Sequence, residues 1–503
     1  MLMEKIRAEF FSATAPLDIT VLDGEPFKMP PMEHQKRALI KGRDKPAFAY
    51  LMEQGTGKTK TLIDDAAHNY RTGKIDALIV VAPNAVKGNW VAWDGFDEVT
   101  NHMADDILTH KFVFNSDAKA DELRAWKRME ERARKEPALI IVAVNYEALL
   151  VKRCFNFLED LTSKMRTMIV LDESTKIKKA GSQRTKLALK IRKNCVMARI
   201  LTGTVAVKSP LDLYSQFNFL DPAILGFNSF YAFRNHFANL GGFQGKQVLS
   251  YKNLDELADL IAPYSYRCTK KEALKDLPEK IYMPTRRVKM TEEQVEAYRS
   301  MKEEFRVQTV DGEIAAPIVL TQIMRLQQIT GGYVTHGELV VELVPPERNP
   351  KFVEALDIIH ESPGQCIVWS RFTPEIDGFC RLLEANGISF RRFDGSTSPE
   401  DRLAAKRDFL EGKFTVMVAN PQVGGQGQDW YTAETVIYLS NSFSTEDRVQ
   451  SEDRAHRKGT KKPVAYFDII VQATEDVRVL RVLRGDLKIS DMVMSAVQEW
   501  NNG

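Results

Sequence analysis

The sequence has few cysteines, the residues whose disulfide bonds stabilise small or secreted domains. Its 503 residues include only five cysteines, and no two of them form a CxxC pair. This scarcity excludes a disulfide framework and gives no sign of a zinc site, so we expect no zinc and a reducing, cytoplasmic location. No apolar run approaches membrane-spanning length, and the opening MLMEKIRAEF is too charged for a secretory signal. We therefore expect no association with a membrane.

The chain also lacks an excess of charge of either sign. Lysine and arginine total 70 against 68 for aspartate and glutamate, so the net charge of +2 indicates nothing about an acidic partner. Locally the charge is uneven, because ten basic residues between Lys164 and Lys193 are accompanied only by Asp172 and Glu173. The stretch from Lys176 to Lys193 suits contacts with phosphates, although a solvated surface explains it equally well.

No internal repeat or low-complexity tract is present, and the length suggests two to four domains. Short apolar runs alternate with helix-like stretches from Ala47 to Thr204 and again from Gln365 onward. This alternation predicts an α/β fold with two doubly wound parallel sheets, each covered by helices on both faces. We predict a first lobe at residues 1–220, helical insertions and a linker at 221–345, and a second lobe at 346–503. Met290–Phe305 within the insertions is predicted to be a helix.

A glycine-rich segment, GTGKT at Gly55 to Thr59, lies between a predicted strand and a predicted helix (Ala47–Leu51 and Lys60–Tyr70). Its glycines allow backbone N–H groups to close around a phosphate at the helix N-terminus. Lys58 would then reach the β and γ phosphates, and Thr59 would ligate Mg²⁺. The loop departs from the strict GxxxxGKT pattern because Met52 takes the first glycine position, so a chance match is the alternative.

Two carboxylates follow another predicted strand, TMIVL, at Asp172 and Glu173. Open α/β sheets bind ligands at the carboxyl ends of their strands, so the pair is placed to serve the same nucleotide. Asp172 would hold Mg²⁺, and Glu173 would polarise the attacking water. An exposed acidic strand end is the alternative interpretation.

The segment Gln450–Val464 carries two arginines close to a glutamine. Gln450, Arg454 and Arg457 are spaced i, i+4 and i+7, which predicts that they share one face of a helix. The planar guanidinium suits recognition of a terminal phosphate, whereas a solvated helix is the alternative. With the phosphate loop in the first lobe, this face predicts a nucleotide held between two domains.

The motifs GTGKT, DES, LTGT and QSEDRAHR occur in this order, and the chain resembles a superfamily 2 helicase-type motor. More narrowly, it is similar to the Swi/Snf family of DNA translocases. The narrower resemblance rests on five further segments: LIVVAPNAVKGNW (78–90), LTGTVAVKSPLDLYSQFNFLDP (201–222), RCTKKEALKDLP (267–278), FDGSTSPEDR (393–402) and DRAHRKGTKKPV (453–464). Together they span most of the chain.

The resemblance implies two RecA-like lobes with ATP and Mg²⁺ in the cleft and double-stranded DNA across their outer face. It assigns adenine recognition to Gln35, for which a surface position on the helix after Pro30–Met32 is the alternative. The other residues assigned to the nucleotide are Gly55, Thr56, Gly57, Lys58, Thr59, Asp172, Glu173, Asp429, Gln450, Arg454 and Arg457. Thr202 and Thr204 are assigned to coupling between hydrolysis and lobe movement, and a capped strand-to-helix turn is their alternative.

DNA contacts follow from the resemblance with less support, because phosphate-binding groups have little sequence signature. The first-lobe candidates are Lys87, Asn89, Trp90, Asn145 and Tyr146, and the second-lobe candidates are Ser370, Arg371, Asn420 and Gln422. Core positions are the alternative for Trp90 and Tyr146. Ser174, Gln422 and Asp429 depart from the family's usual residues.

These observations predict a DNA-dependent ATPase that moves along duplex DNA without separating the strands. We expect a monomer that remodels or displaces DNA-bound proteins. A strand-separating DNA or RNA helicase is one alternative. A nucleotide-controlled DNA-binding protein with negligible hydrolysis is the other, and the intact Lys58, Glu173 and Arg457 argue against it.

Overall fold

The computed structural model describes residues 17–91, 97–114, 124, 126, 131, 136–203, 209–242, 247–309, 316–337, 339–424, 430–487 and 492. Its chain divides into two compact units, Met1–Lys275 and Asp276–Gly503. This division falls inside the predicted segment 221–345, and the three-part division stays a prediction. Across the described ranges, no helix has both the length and the apolar character needed to cross a membrane.

The first unit is built on a seven-stranded parallel sheet in the order β3-β4-β2-β5-β6-β1-β9. A separate antiparallel hairpin pairs β7 with β8. The strands are β1 Ala47–Met52, β2 Ala77–Ala82, β3 Thr109–Val113, β4 Leu139–Asn145, β5 Thr167–Asp172, β6 Met197–Leu201, β7 Ala238–Gly241, β8 Gln247–Tyr251 and β9 Ser265–Cys268.

Helices cover this sheet. They are α1 Glu33–Gly42, α2 Lys58–Arg71, α3 Asn84–Trp90, α4 Glu98–His102, α5 Lys152–Lys164, α6 Gln183–Arg192, α7 Leu213–Leu220, α8 Pro222–Leu225, α9 Phe230–Phe237, α10 Leu254–Ile261 and α11 Lys270–Ala273. Short 3₁₀ turns lie at Ile19–Leu22, Ala148–Leu150, Ser174–Ile177, Pro210–Asp212 and Ala262–Tyr264.

The two faces of the first sheet carry separate hydrophobic cores. Along β1, Ala47, Ala49 and Leu51 pack into one core, whereas Phe48 and Tyr50 pack into the other. Successive side chains of a strand point to opposite faces, so a strand covered on both sides must be apolar throughout. This requirement explains why β1, β2, β4 and β5 read as continuous apolar runs.

The second unit repeats this architecture. Its parallel sheet has the order β10-β18-β17-β14-β16-β15, with β11 also paired to β18, and β12 and β13 form a hairpin. The strands are β10 Lys280–Tyr282, β11 Arg286–Val288, β12 Tyr333–His336, β13 Leu339–Glu342, β14 Cys366–Trp369, β15 Phe390–Phe393, β16 Val416–Ala419, β17 Thr435–Tyr438 and β18 Val464–Val471.

The helices of the second unit are α12 Glu292–Thr309, α13 Ala316–Thr330, α14 Pro350–Glu361, α15 Thr373–Ala385, α16 Pro399–Leu410, α17 Pro421–Gly424, α18 Thr445–Ala455 and α19 Glu475–Leu483, with a 3₁₀ turn at Pro346–Arg348.

The predicted fold class, two α/β lobes with parallel sheets, is confirmed. The predicted helix at Met290–Phe305 is present as α12. The segment predicted as helical insertions and linker also supplies strands, because β9 extends the first sheet and β10 and β11 extend the second. Each of these strands has only three or four residues and lacks an apolar run. Such short strands join a sheet mainly through backbone hydrogen bonds, so the sequence carries little signal for them.

A buried ion pair joins three elements of the first unit. Arg199 on β6 is 0% exposed, and its Nε lies 2.6 Å from Oδ2 of Asp65 on α2. Its Nη2 donates to the carbonyl of Gly42 at the end of α1, and the hydroxyl of Tyr50 donates to the same carboxylate. The pair therefore holds α1 and α2 against the sheet.

We expect Arg199→Met to lower the free energy of unfolding of the first unit by about 3–5 kcal/mol, because it leaves the Asp65 carboxylate buried without its cation. The control is Arg37→Met, which removes an exposed pair with Glu33 and is expected to lose less than about 1 kcal/mol. Urea unfolding followed by circular dichroism measures both. Equal losses for the two variants would contradict a structural role for the buried pair.

Candidate nucleotide site and its surroundings

The glycine-rich loop connects β1 to α2 as the sequence predicted. Gly55 and Gly57 adopt positive φ angles of 80° and 83°, which let the chain curl back before the helix begins at Lys58. The hydroxyl of Thr56 donates to the carbonyl of Glu53 at 2.7 Å and closes the turn. A glycine-rich turn that opens into a helix N-terminus is a ready-made phosphate site.

The helix α1 lies directly against this loop. The side-chain amide of Gln35 donates to the carbonyl oxygens of Thr56 and Gly57 at 3.2 and 3.4 Å, and Gln35 is only 4% exposed. His34 Nε2 lies 2.7 Å from the carbonyl of Thr56. The structure therefore excludes the surface alternative for Gln35. The contact of His34 was missed, because a lone histidine before a glutamine carries no motif.

The two predicted carboxylates follow β5 at the same edge of the sheet. Asp172 Oδ2 accepts a hydrogen bond from the indole Nε1 of Trp90 at 2.8 Å, and Oδ1 accepts from the backbone N–H of Glu173 at 3.0 Å. Burial, followed by the charge of Glu173, raises the pKa of Asp172 above the usual range of an aspartate. Glu173 has a φ of 51°, a strained value for a residue with a side chain.

Lys58 and the end of β6 complete this edge. Lys58 is 9% exposed, and its Nζ lies 3.0 Å from the position that a Cβ on Gly203 would occupy. The backbone N–H of Thr202 donates to the carbonyl of Tyr50 on β1, so Thr202 is held beside the glycine-rich loop. Thr204, the second predicted coupling residue, lies outside the described residues.

These residues fit a nucleotide with Mg²⁺. The Oε2 atom of Glu173 is shielded from solvent and has no hydrogen-bond partner among the described residues, as expected of a group that awaits a ligand. No cluster of three or more His, Cys, Asp or Glu in the described ranges could hold a metal. Mg²⁺ commonly takes one or two protein ligands together with waters and substrate phosphates, so a site with only Thr59 and Asp172 as protein ligands would be sufficient.

Most first-unit candidates for DNA contact are packed against the protein. Trp90 and Tyr146 are each 1% exposed, and the hydroxyl of Tyr146 donates to the carbonyl of Asp172 at 2.7 Å. Lys87 is 8% exposed and donates to the carbonyl of Phe114 at 3.1 Å. Of this set, Trp90 and Tyr146 present no surface to a ligand in this conformation.

The remaining first-unit candidates, Asn89 and Asn145, lie near the ends of their elements. Asn89 is partly exposed near the end of α3. Asn145 is 9% exposed at the end of β4, where its amide donates to Glu147. These two side chains, together with Lys87, keep the predicted DNA role open in the first unit.

The second-unit candidates cluster at the carboxyl ends of β14 and β16. Ser370 is fully buried and donates to the carboxylate of Glu375. Asn420 donates to the carbonyl of Arg371 at 2.8 Å, and its side-chain oxygen accepts from the backbone N–H of Gln422. Gln422 is exposed, whereas Ser370 presents no surface. The side chains of Arg371 and Asn420 are partly exposed.

The prediction that Arg457 shares a helix face with Gln450 and Arg454 is wrong. Helix α18 ends at Ala455 because His456 leaves helical geometry, and the hydroxyl of Thr460 then donates to the carbonyl of Ala455. Arg457 lies in the following turn, where Gly459 has a φ of 105°. The i+7 spacing alone could not locate the helix end.

The other two residues of that face lie on α18. Gln450 and Arg454 are 6% and 4% exposed, and the guanidinium Nε of Arg454 donates to the backbone carbonyl of Gln450 at 3.1 Å. Asp429, the remaining second-lobe candidate for the nucleotide, lies outside the described residues.

The helix α18 is fixed by an arginine that carries no motif signal and whose side chain is 9% exposed. Arg448 bonds Glu452 and Asp468 and stacks 3.5 Å from the ring centroid of Tyr438. These contacts join α18 to β17 and β18. Arg448 therefore positions the segment that bears Gln450 and Arg454.

Comparisons with known proteins match both units. The SNF2-related domain matches residues 50–331, which is more than half of the chain, and the helicase conserved C-terminal domain matches residues 349–459. An uncharacterized ATP-dependent helicase of Mycoplasma pneumoniae is 27% identical over 454 residues, covering 88% of this chain and 40% of that protein. The transcription regulatory protein SNF2 of Saccharomyces cerevisiae is 25% identical over 474 residues, covering 88% and 26%.

The chain thus spans less than half the length of these two relatives. Among solved structures, a Sulfolobus solfataricus SWI2/SNF2 ATPase core in complex with dsDNA is 20% identical with a TM-score of 0.40, covering 94% of this chain and 95% of that one.

We expect Gly57→Ala to weaken nucleotide binding by about tenfold or more, because the added Cβ would overlap the side-chain amide of Gln35 and force it away from the carbonyls of the loop. The control is Gly73→Ala, which has a similar positive φ of 67° but no atom within 4 Å of the new Cβ. It is expected to lose stability without losing nucleotide affinity. Titration with a fluorescent ATP analogue measures both variants, and unchanged affinity in Gly57→Ala would contradict the assigned loop.

Proposed function

The chain belongs to the SNF2-related family within helicase superfamily 2, and from this premise we propose that it hydrolyses ATP and moves along double-stranded DNA without separating the strands. The observation that supports the proposal most is the convergence of Gln35, Lys58 and Glu173 on one edge of the first sheet. These groups come from three separate elements, α1, α2 and the end of β5.

The proposed roles follow from the chemistry of each side chain. Lys58 binds the β and γ phosphates, and the backbone of Gly55 to Gly57 cradles them. Thr59 and Asp172 would hold Mg²⁺, which neutralises charge on the phosphates when it is bound. Glu173 orients the attacking water and accepts its proton, a role for which its unpaired, shielded Oε2 is available. Gln35 would recognise adenine beside the loop.

Duplex DNA is the proposed partner, held mainly through its phosphates. Supporting this, several lysines after β5 are exposed and form no ion pair within the described ranges: Lys176, Lys179, Lys186 and Lys193. Lys87, Asn89 and Asn145 in the first unit and Arg371, Asn420 and Gln422 in the second remain proposed contacts. Phosphate contacts carry no base sequence, so affinity is expected to fall steeply with salt and depend little on sequence.

The second unit is proposed to supply Gln450, Arg454 and Arg457 to the terminal phosphate and to convert hydrolysis into movement. Thr202 and Thr204 would couple that step to the first unit. We further propose that the protein is a cytoplasmic monomer that remodels or displaces DNA-bound proteins.

We expect the purified protein to displace a third strand from a DNA triplex in the presence of ATP and not to separate the strands of a duplex. Lys58→Ala removes the charge that holds the phosphates, and Glu173→Gln removes the base while keeping its shape, so both are expected to abolish displacement. Only Glu173→Gln should still bind ATP. Parallel triplex-displacement and strand-displacement assays make the measurement.

The two alternatives give different results in these assays. A strand-separating helicase would release a strand from the plain duplex. A nucleotide-controlled DNA-binding protein would displace nothing and would hydrolyse ATP negligibly. Normal displacement by either variant would refute the assigned site.

We expect Arg457→Ala to lower kcat by about 10³-fold or more with little change in ATP affinity, because an arginine on the terminal phosphate neutralises charge that develops in the transition state. Arg457→Lys should rescue poorly, since an ammonium lacks the planar fork. The control is Lys461→Ala, an exposed cation in the same segment. Steady-state kinetics at saturating duplex DNA measures all three, and a wild-type kcat for Arg457→Ala would overturn this role.

A further inference from the structure

One tryptophan of the first unit is bonded to the carboxylate that is proposed to hold Mg²⁺. Trp90 is the last residue of α3 and is 1% exposed. Its indole Nε1 donates to Oδ2 of Asp172 at 2.8 Å. A buried indole N–H usually has an acceptor, and for Trp90 the acceptor is a group of the proposed nucleotide site rather than a carbonyl of the core.

A second segment reaches the same residue. The hydroxyl of Tyr146, directly after β4, donates to the backbone carbonyl of Asp172 at 2.7 Å. Trp90 and Tyr146 each follow a residue proposed to contact DNA, namely Asn89 and Asn145. In each of these two segments, the residue after the proposed DNA contact therefore donates a hydrogen bond to Asp172.

We propose that Trp90 is a positioning residue that links DNA binding at α3 to the orientation of the Asp172 carboxylate. The inference rests on the proposed function and adds a physical link between the nucleotide site and the DNA-binding surface. Tyr146 fixes the backbone of Asp172, whereas Trp90 fixes one carboxylate oxygen. Each carboxylate oxygen has a second lone pair, so Oδ2 can accept the indole proton and still face a cation.

The geometry makes this link sensitive to movement. Trp90 is the last residue of α3 and its indole packs against the sheet in the core that contains Phe48, Tyr50 and Leu201, so a displacement of α3 relative to β5 changes the distance between the indole and Asp172. A hydrogen bond weakens steeply once its donor and acceptor move beyond about 3.5 Å. A shift of α3 by less than one ångström on DNA binding would therefore change how firmly Asp172 is held.

The competing explanation is that Trp90 is only a packed core residue. Trp126 provides the matched control, because it is also nearly buried in the first unit, at 5% exposed, and packs against Phe157 and Phe112 in the core on the opposite face of the sheet. Its side chain therefore lies in a different core from that of Trp90. Trp126→Phe removes an indole of the same size without touching the site.

The test is the mutual dependence of the two ligands, measured without turnover. Duplex-DNA affinity is determined by fluorescence anisotropy at one stated salt concentration, with and without Mg²⁺ and a non-hydrolysed ATP analogue. Binding free energies are reciprocal, so a link between the sites must appear as a change in DNA affinity. We expect a change of about fivefold or more for the wild type and for Trp126→Phe, and less than about twofold for Trp90→Phe.

Affinity in the absence of nucleotide is expected to be similar for all three proteins, because Trp90 itself does not touch DNA. A Trp90→Phe variant that keeps the wild-type factor would overturn the inference while leaving the proposed function intact. A wild type that binds no duplex DNA would instead overturn the proposed function, and the inference with it.

A second measurement decides the matter if Trp90→Phe does not fold. In protein labelled with 5-fluorotryptophan, the fluorine resonances of the other five tryptophans are assigned by replacing each with phenylalanine in turn, and the remaining resonance is that of Trp90. The Trp90 resonance is expected to move when duplex DNA is added without nucleotide, and the Trp126 resonance is not. A stationary Trp90 resonance at saturating DNA would overturn the inference.

Discussion

The proposed chemistry of the first unit depends on the parallel alignment of three strands. β1 and β5 both pair with β6, and in the two registers Ala49 and Leu171 stand opposite the same residue, Ile200. Strands that start level and run in one direction also end level, so the glycine-rich loop after β1 and the Asp172 carboxylate after β5 must share one edge. An antiparallel neighbour would place one of them at the far end of the sheet.

A sheet covered on both faces leaves little room for charge, and two buried carboxylates beside the first sheet are satisfied in different ways. Arg199 and Asp65 neutralise each other where α1 and α2 reach the sheet. Asp172 lies within reach of the charge of Lys58, but its hydrogen bonds within the described ranges come from neutral donors, the indole of Trp90 and the backbone of Glu173. The first arrangement fixes the scaffold, whereas the second leaves a carboxylate with unused capacity, which is the property a cation site requires.

The sequence predicted the features that depend on local pattern. Continuous apolar runs located the central strands, and GTGKT located the loop after β1. The sequence did not predict features that depend on tertiary packing. Strand β9 joins the first sheet through backbone pairing of Ser265–Cys268. The helix α18 ends at Ala455, so Arg457 does not lie on the predicted helix face. The resemblance named Trp90 as a DNA contact with a core position as the alternative; the structure buries its side chain, and only packing directs its indole toward Asp172.

The central claim is that ATP hydrolysis serves movement on duplex DNA. The most direct measurement is the steady-state rate of ATP hydrolysis with no nucleic acid, with duplex DNA, with single-stranded DNA and with RNA, all at one stated salt concentration. The account predicts that duplex DNA raises the rate most and that this stimulation declines as salt increases. An equal rate without nucleic acid, or equal stimulation by RNA, would contradict it.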